Sequence, residues 1–491
     1  MKKAIIIGSG IAGLSASIRL AKAGYAVEIF ERSSVAGGKL GEKQLGSYRF
    51  DTGPSLFTMP HYVEELFDLC GVPMQDYFSY EKVNESCRYF WDDGKEISAD
   101  ADRVSFAAAC EKEFGVPSTH ILKYLDQSQQ SFELTRSVFL EQSLHRVKNY
   151  FRKSVLRGVL HLPQLHLFSS MHRVNEKKIK EPHLVQLFDR FATYNGSDPY
   201  RAPGVLTMIP HLEHNVGTFF PKGGMISIPR ALVQLAIRCG VKFHLDTEVD
   251  RIRVEKGIAR GVESGATFFP ADVVISNMDV IPTYRRLLAQ EPAPEKTLAQ
   301  ERSSSALIFY WGIGREFPQL GLHNIFFAND YRREFELLFQ EKSVSEDPTV
   351  YVHISSKYNP HDAPAGKEAW FVLVNVPGNK GQNWDELIPV IRKNCLKKLS
   401  ARLGVDIASL IEEEDVLDPR SIESRTSSFQ GSLYGAASNN RNAAFLRHPN
   451  FSRRIPNLYF CGGSVHPGGG IPLCLLSGKI TADLIHQDHL Q

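Results

Sequence analysis

No stretch of the sequence approaches the roughly 20 uncharged apolar residues that a bilayer-spanning helix needs, so no transmembrane helix is expected. Cysteine is sparse: seven residues, an odd number with no CxxC pair, suit a reduced, cytosolic setting better than a disulfide framework. Charge of one sign is lacking too. Lys and Arg total 57 and Asp and Glu 55, a net charge of +2 that gives no reason to expect a nucleic-acid partner. Lys2-Lys3 before Ala4-Ile5-Ile6-Ile7 opens like a signal peptide. Glycines then break the run, Arg19 and Lys22 follow, and no small-residue cleavage site appears. Internal repeats and low-complexity tracts are absent. His211-Leu212-Glu213-His214 is not HExxH and has no evident third ligand, so no metal is expected.

What is present is an ordinary globular composition, 43% hydrophobic and 23% charged, in 491 residues, enough for two or three domains. Ala4 to Ile7 reads as a parallel strand buried on both faces. It runs into Gly8-Ser9-Gly10-Ile11-Ala12-Gly13, a GxGxxG. A helical pattern through Ile11, Leu14, Ile18 and Ala21 follows, then a second strand, Ala26-Val27-Glu28-Ile29-Phe30, with Glu31 at its end. In this order each residue has a physical task. Gly8 permits the tight turn, Gly10 lets backbone approach a pyrophosphate, and Gly13 allows close helix–strand packing. The helix N-terminus at Ile11 and Ala12 offers N–H donors to the anion. Glu31 can accept from a ribose 2′-hydroxyl, and its charge disfavours a 2′-phosphate, an exclusion that Arg32 weakens.

A dinucleotide fingerprint does not by itself separate NAD from FAD. After Glu31 come Arg32-Ser33-Ser34-Val35-Ala36-Gly37-Gly38-Lys39 and Phe50-Asp51-Thr52-Gly53-Pro54-Ser55-Leu56. Here the sequence resembles the flavin amine oxidase and carotenoid desaturase superfamily, whose second motif is RxxxxGG followed by a basic residue. Lys39 stands where Arg is usual, keeping the charge but losing the bidentate fork. The likeness continues at Phe220-Pro221-Lys222-Gly223-Gly224-Met225. It extends to a strand read over His244-Leu245-Asp246-Thr247-Glu248-Val249, and to Ala271-Asp272-Val273-Val274-Ile275-Ser276-Asn277, a strand leading into a loop. The chain closes with an apolar strand, Leu458-Tyr459-Phe460-Cys461, then Gly462-Gly463-Ser464-Val465-His466-Pro467-Gly468-Gly469-Gly470-Ile471-Pro472 and a helix. That ending is similar to the C-terminal signature of bacterial-type carotenoid (phytoene) desaturases, with Val465 and Gly469 in places of other small residues.

The resemblance implies an α/β fold: a discontinuous Rossmann-type FAD-binding domain with an inserted α+β substrate domain. Residues 1–85, 215–285 and 450–491 would form the first, and 86–214 with 286–449 the second. It implies non-covalent FAD held by Gly8, Gly10, Ile11, Ala12, Gly13, Glu31, Arg32, Gly38, Lys39, Gly53, Pro54, Ser55, Leu56, Val249, Gly463, Gly470, Ile471 and Pro472. Cys461 and Cys474 flank the presumed flavin loop, but buried structural cysteine is commoner than covalent attachment. No catalytic residue is identified; His466 is a candidate, with hydrogen bonding inside its own turn as the alternative.

The segment 105–210 reads as mainly helical. Between 145 and 180 it carries Arg146, Lys148, Arg152, Lys153, Arg157, Arg173, Lys177, Lys178 and Lys180 against the single acid Glu176. Val147, Phe151, Val155, Val159 and Leu162 give it an apolar face. Such a stretch can lie in an anionic membrane interface or serve as an ordinary surface helix. A peripheral location on the inner face of the cell membrane is the expectation. Ser305 to Trp311, Thr349 to Ile354 and Trp370 to Val376 read as strands roofing a substrate pocket.

Lys39-Leu40, the run Phe50 to Pro60 and Ala192-Thr193-Tyr194-Asn195-Gly196 are most similar to the desaturase subgroup acting on 1-hydroxylated carotenoids. This implies introduction of a C-3,4 double bond by hydride transfer to flavin and loss of the neighbouring proton. Tyr194 and Asn195 are candidates to meet the substrate hydroxyl, or else to cap backbone at a helix end. Phytoene desaturase, carotenoid isomerase, flavin amine oxidase and a non-catalytic carotenoid carrier remain alternatives.

Overall fold

The computed structural model describes residues 1–136, 140–143, 145–146, 165–439 and 446–489. Its first layer is a five-stranded parallel sheet. The strands run in the order Leu458–Phe460, Val273–Ser276, Lys3–Ile7, Ala26–Phe30, Lys242–His244. Both faces are buried, and the strand period of two divides each strand between two cores. Ala4, Ile6, Val27, Ile29, Val273 and Ile275 pack against the helices Ile11–Lys22, Ser227–Arg238 and Ile471–His489. Ile5, Ile7, Phe30, Val274, Leu458 and Phe460 face the other way, onto Ile252, Val262 and Tyr284. This accounts for the unbroken apolar run after Lys3.

The first and last helices pack closely because of Gly478. A Cβ there would lie 2.5 Å from the Ala12 carbonyl oxygen and 2.7 Å from Ser15 Cβ. Ser15 Oγ donates to the Leu475 carbonyl at 2.9 Å. The strand expected over 244–249 is shorter and earlier, Lys242–His244. Beyond it, Asp246 adopts φ 48°, and the backbone turns to bond the loop after Ala26–Phe30. Asp246 N–H reaches Ser33 O at 3.2 Å and Thr247 N–H reaches Glu31 O at 2.9 Å.

The second layer is a seven-stranded sheet. Its order is Ile411–Leu417, Ser305–Ile313, Glu368–Val376, Val350–Ile354, His323–Phe326, Glu85–Phe90, Glu96–Asp100. Only His323–Phe326 and Glu85–Phe90 pair in parallel. Alternation again separates two faces. Phe309, Trp311, Val352, Trp370, Val372 and Val374 meet Ile391, Cys395 and Leu399 of the helix Trp384–Leu403. Ile308, Tyr310, Phe371, Leu373 and Tyr351 turn to the opposite side, towards the first layer.

Between these layers in sequence, the helices Arg103–Phe114, Ser118–Thr135, Met171–Ile179 and Pro182–Asp189 form a mainly helical part. Asp102 and Ser170 cap two of them by accepting from Ser105 N–H and Arg173 N–H. Of the basic stretch, Val147, Lys148, Phe151, Arg152, Lys153, Val155, Arg157, Val159 and Leu162 lie outside the described residues. Arg146 pairs with Asp488 at 2.5 Å. Among the described residues, no helix is long and apolar enough to cross a membrane.

Candidate functional site

One cavity of about 1190 Å³ runs from the Gly10 turn, past the N-terminus of the last helix, to the inner face of the seven-stranded sheet. At its first end the glycine motifs form a single packed unit. A Cβ on Gly13 would lie 2.5 Å from Gly8 O. Gly37 N–H bonds Ser9 O at 3.2 Å, and a Cβ on Gly38 would stand 3.0 Å from Gly10 Cα. The glycine pair thus stacks on the first turn. Gly53 is confined similarly: its missing Cβ would fall 1.9 Å from the Lys39 carbonyl oxygen.

Gly10, Ile11, Ala12, Arg32, Gly38 and Lys39 line this end, as do Gly53, Pro54, Ser55 and Leu56. Gly463, Gly470, Ile471 and Pro472 bring the N-terminus of the helix Ile471–His489 to the same wall. Gly470 has φ +103° and open space where a side chain would stand. Two helix N-termini, a half-buried cation and backbone bared by glycine suit a phosphate-bearing dinucleotide.

Three expected residues, Gly8, Gly13 and Glu31, stand just behind that wall. Glu31 Oε2 accepts from Ser9 N–H at 2.9 Å and Ser9 Oγ at 2.7 Å, and Oε1 from Ser33 N–H at 3.0 Å. It therefore braces the turn that Gly8 opens. Lys39 Nζ donates to Ser432 O at 3.1 Å and Leu433 O at 2.7 Å, and burial pushes its pKa down to about 8. Arg32 donates to Ser424 O. Val249 is buried with Phe30 and Ile252 instead of lining the cavity.

His466 lies away from the cavity. Burial lowers its pKa to about 3, and its Nε2–H donates to Gln142 O at 2.8 Å. Its own carbonyl accepts from Asn450 Nδ2 at 2.8 Å and Ser477 Oγ at 2.9 Å. These partners all lie outside the histidine's own turn, so His466 joins separate segments of the chain.

The far end of the cavity combines apolar sheet residues with a polar cluster. Ile308, Ile325, Phe371 and Leu373 supply the apolar wall. Tyr351 Oη meets Ser55 Oγ at 2.7 Å and His323 Nδ1 at 2.7 Å. Burial holds His323 neutral, well below the usual histidine range. Tyr194 lines the same end and donates to Glu213 Oε2, which pairs with Arg190 at 3.0 Å. Asn195 does not line it; its Nδ2 lies 3.4 Å from Ser438 Oγ. The three residues of the His211–His214 stretch diverge. His211 bonds Asn215 at 3.0 Å, Glu213 takes the ion pair, and the His214 ring stacks 4.5 Å from Phe106.

Sequence reasoning passed over Arg190, His323 and Tyr351 as site residues and weighed Glu213 only as a metal ligand. The four lie on separate segments, and no local motif joins them. Asn277, seen only as the end of a strand, lines the cavity and donates from Nδ2 to Gly8 O at 3.2 Å.

Fold and cavity together define an α/β protein with a glycine-lined cradle at one end of a large pocket and an apolar sheet face at the other. Residues 11–486 match the family described as flavin containing amine oxidoreductase, and the chain belongs to that family, an oxidoreductase family that uses flavin. It is 53% identical, over 99% of both chains, to the 1-hydroxycarotenoid 3,4-desaturase of Flavobacterium sp. (strain P99-3). A 4,4'-diapolycopene oxygenase of Methylomonas sp is 34% identical over 99% of this chain and 98% of its own. A phytoene desaturase of Fusarium fujikuroi is 31% identical over 99% and 90%. Among solved structures, an oxidoreductase from Methanosarcina mazei superposes with TM-score 0.64 at 18% identity, covering 99% of this chain and 100% of its own. Putrescine oxidase bound to putrescine gives 0.63 at 14%, covering 99% of both. At these identities the two structures establish the shared fold.

Proposed function

We propose that this protein is an FAD-dependent desaturase that introduces the C-3,4 double bond into a 1-hydroxylated carotenoid. The observation that carries the reading is one continuous cavity, which joins the glycine-lined end to an aliphatic and aromatic sheet face. The 53% identity to a 3,4-desaturase supports the choice of bond and substrate.

When bound, flavin supplies the two-electron acceptor for the hydrogen that the substrate loses. Gly10, Ile11, Ala12, Gly38, Lys39 and Gly470 would hold the dinucleotide, Glu31 would accept from its adenosine ribose, and the backbone at Val249 would serve its adenine. Ile308, Ile325, Phe371 and Leu373 orient the polyene and exclude water. As hydrogen leaves, the carbon chain gains positive character and the adjacent C–H becomes strongly acidic. A weak neutral base then suffices. His323 Nδ1, reached through Tyr351 Oη, is that acceptor, and Ser55 Oγ extends the chain of hydroxyls towards the flavin end.

The test is to supply purified enzyme with a 1-hydroxylated carotenoid, its unhydroxylated parent and phytoene. A preference for the hydroxylated compound above about tenfold, roughly 1.4 kcal/mol at the transition state, supports the reading. Efficient turnover of phytoene with no response to hydroxylation would move the chain to the phytoene desaturases. The basic composition of 145–180 supports a peripheral site on the inner face of the membrane, where such a substrate dissolves. Co-sedimentation with anionic vesicles should fall with salt and with Arg152, Lys153 and Arg157 replaced by Glu.

A further inference from the structure

We propose that Arg190, Glu213 and Tyr194 form a binding site for the hydroxyl-bearing end of the substrate and set its preference for hydroxylated carotenoids. This rests on the desaturase reading above.

All three side chains line the cavity. Arg190 and Glu213 are 9% and 1% exposed, so their ion pair has been taken almost wholly out of water. Arg190 Nη2 donates to Glu213 Oε2 at 3.0 Å and to Tyr89 Oη at 2.7 Å. Its guanidinium also sits over the rings of Phe191 and Tyr194, 4.6 and 5.4 Å from their centroids. Its Nε–H is buried and has no hydrogen-bond partner. A pocket for a purely hydrocarbon guest gains nothing from this group, since a buried ion pair is no better for stability than well-packed apolar side chains. An unmatched buried donor adds a cost that a ligand can remove.

The cluster is complementary to an alcohol. Tyr194 gives its proton to Glu213, which leaves lone pairs on Tyr194 Oη to accept from a substrate O–H. The substrate oxygen can in turn accept from Arg190 Nε–H. Burial beside Glu213 keeps the Tyr194 phenol protonated, so the donor–acceptor pattern is constant over the working pH range. A guest lacking the hydroxyl leaves both groups unmatched. Sites built to bond a substrate hydroxyl reject the analogue without it far more strongly than a hydrophobic pocket rejects a missing methylene.

The experiment compares kcat/KM for a 1-hydroxylated carotenoid and its unhydroxylated parent, in wild type, in Tyr194→Phe and in the double variant Arg190→Met with Glu213→Leu. Reading the ratio cancels any loss of active protein. The double variant removes both charges at once, so neither is left buried alone. The expected result is a wild-type ratio above about tenfold that collapses towards one in both variants. If the wild type discriminates and both variants keep its ratio within about twofold, this assignment is overturned and the desaturase reading survives. If the wild type itself shows no preference, both fall.

Discussion

Asn277 donates from its side-chain amide to the carbonyl of Gly8, 3.2 Å away and 269 residues earlier in the chain. Around that amide the first glycine motif is closed: Cβ atoms on Gly10 and Gly13 would stand 2.8 and 3.0 Å from its nitrogen. Gly13→Ala therefore has no room, since its Cβ also meets Gly8 O at 2.5 Å. The substitution should cost about 1–3 kcal/mol of stability and lower the flavin retained on purification. Thermal unfolding and flavin absorbance per chain report both.

Glu31→Ala removes the acceptor for Ser9 and Ser33 and, on the proposed assignment, the partner of the ribose. A charged hydrogen bond is worth about 1.5–3 kcal/mol, so FAD affinity should weaken by roughly 10- to 150-fold. Full flavin occupancy that persists through dilution would count against the ribose assignment.

Lys39 carries a pH dependence. Burial depresses its pKa to about 8, so the apo protein pays for the charge at neutral pH and recovers stability as pH rises from about 8 to 10.5. An anionic cofactor favours the protonated form, so FAD affinity should be full below about 8 and decline above it. Lys39→Arg stays charged throughout this range. Flavin titrations at several pH values should therefore show a decline in wild type and a flat profile in the variant.

Glu334 behaves in the opposite sense. It accepts from Thr349 N–H at 3.0 Å, and burial raises its pKa from 4.5 to about 7. A raised carboxyl stabilises the fold fully below 4.5, and that stability is lost as pH rises towards 7. Glu334→Gln should match wild type near pH 4 and be more stable at pH 8, by on the order of 2–3 kcal/mol. Equal denaturant midpoints at both pH values would refute this.

Tyr351→Phe breaks the link between Ser55 and His323. If these groups receive the proton, turnover should fall by roughly 10²- to 10⁴-fold while flavin content stays unchanged. Turnover as fast as wild type would remove them from the mechanism.

The strand, glycine turn, helix, strand and acid at 3–31 were legible because they are local. Backbone strain, a pyrophosphate-sized turn and a two-sided buried strand each impose residue types a few positions apart. The closing glycine run and the apolar strands of the second sheet were readable for the same reason. The end of the fifth parallel strand was not, because Asp246 and Thr247 leave the ladder to bond residues more than 200 positions away. Tyr194 could be singled out by its resemblance to a subgroup segment, but its neighbour Asn195 looks the same in sequence and turns to Ser438. What only the tertiary structure decided is the polar end of the cavity. Arg190, His323 and Tyr351 are unremarkable singly, and nothing in the sequence joins them to Ser55 or Glu213. Their chemistry arises when the fold removes them from water together, so that each must find its partner among the others.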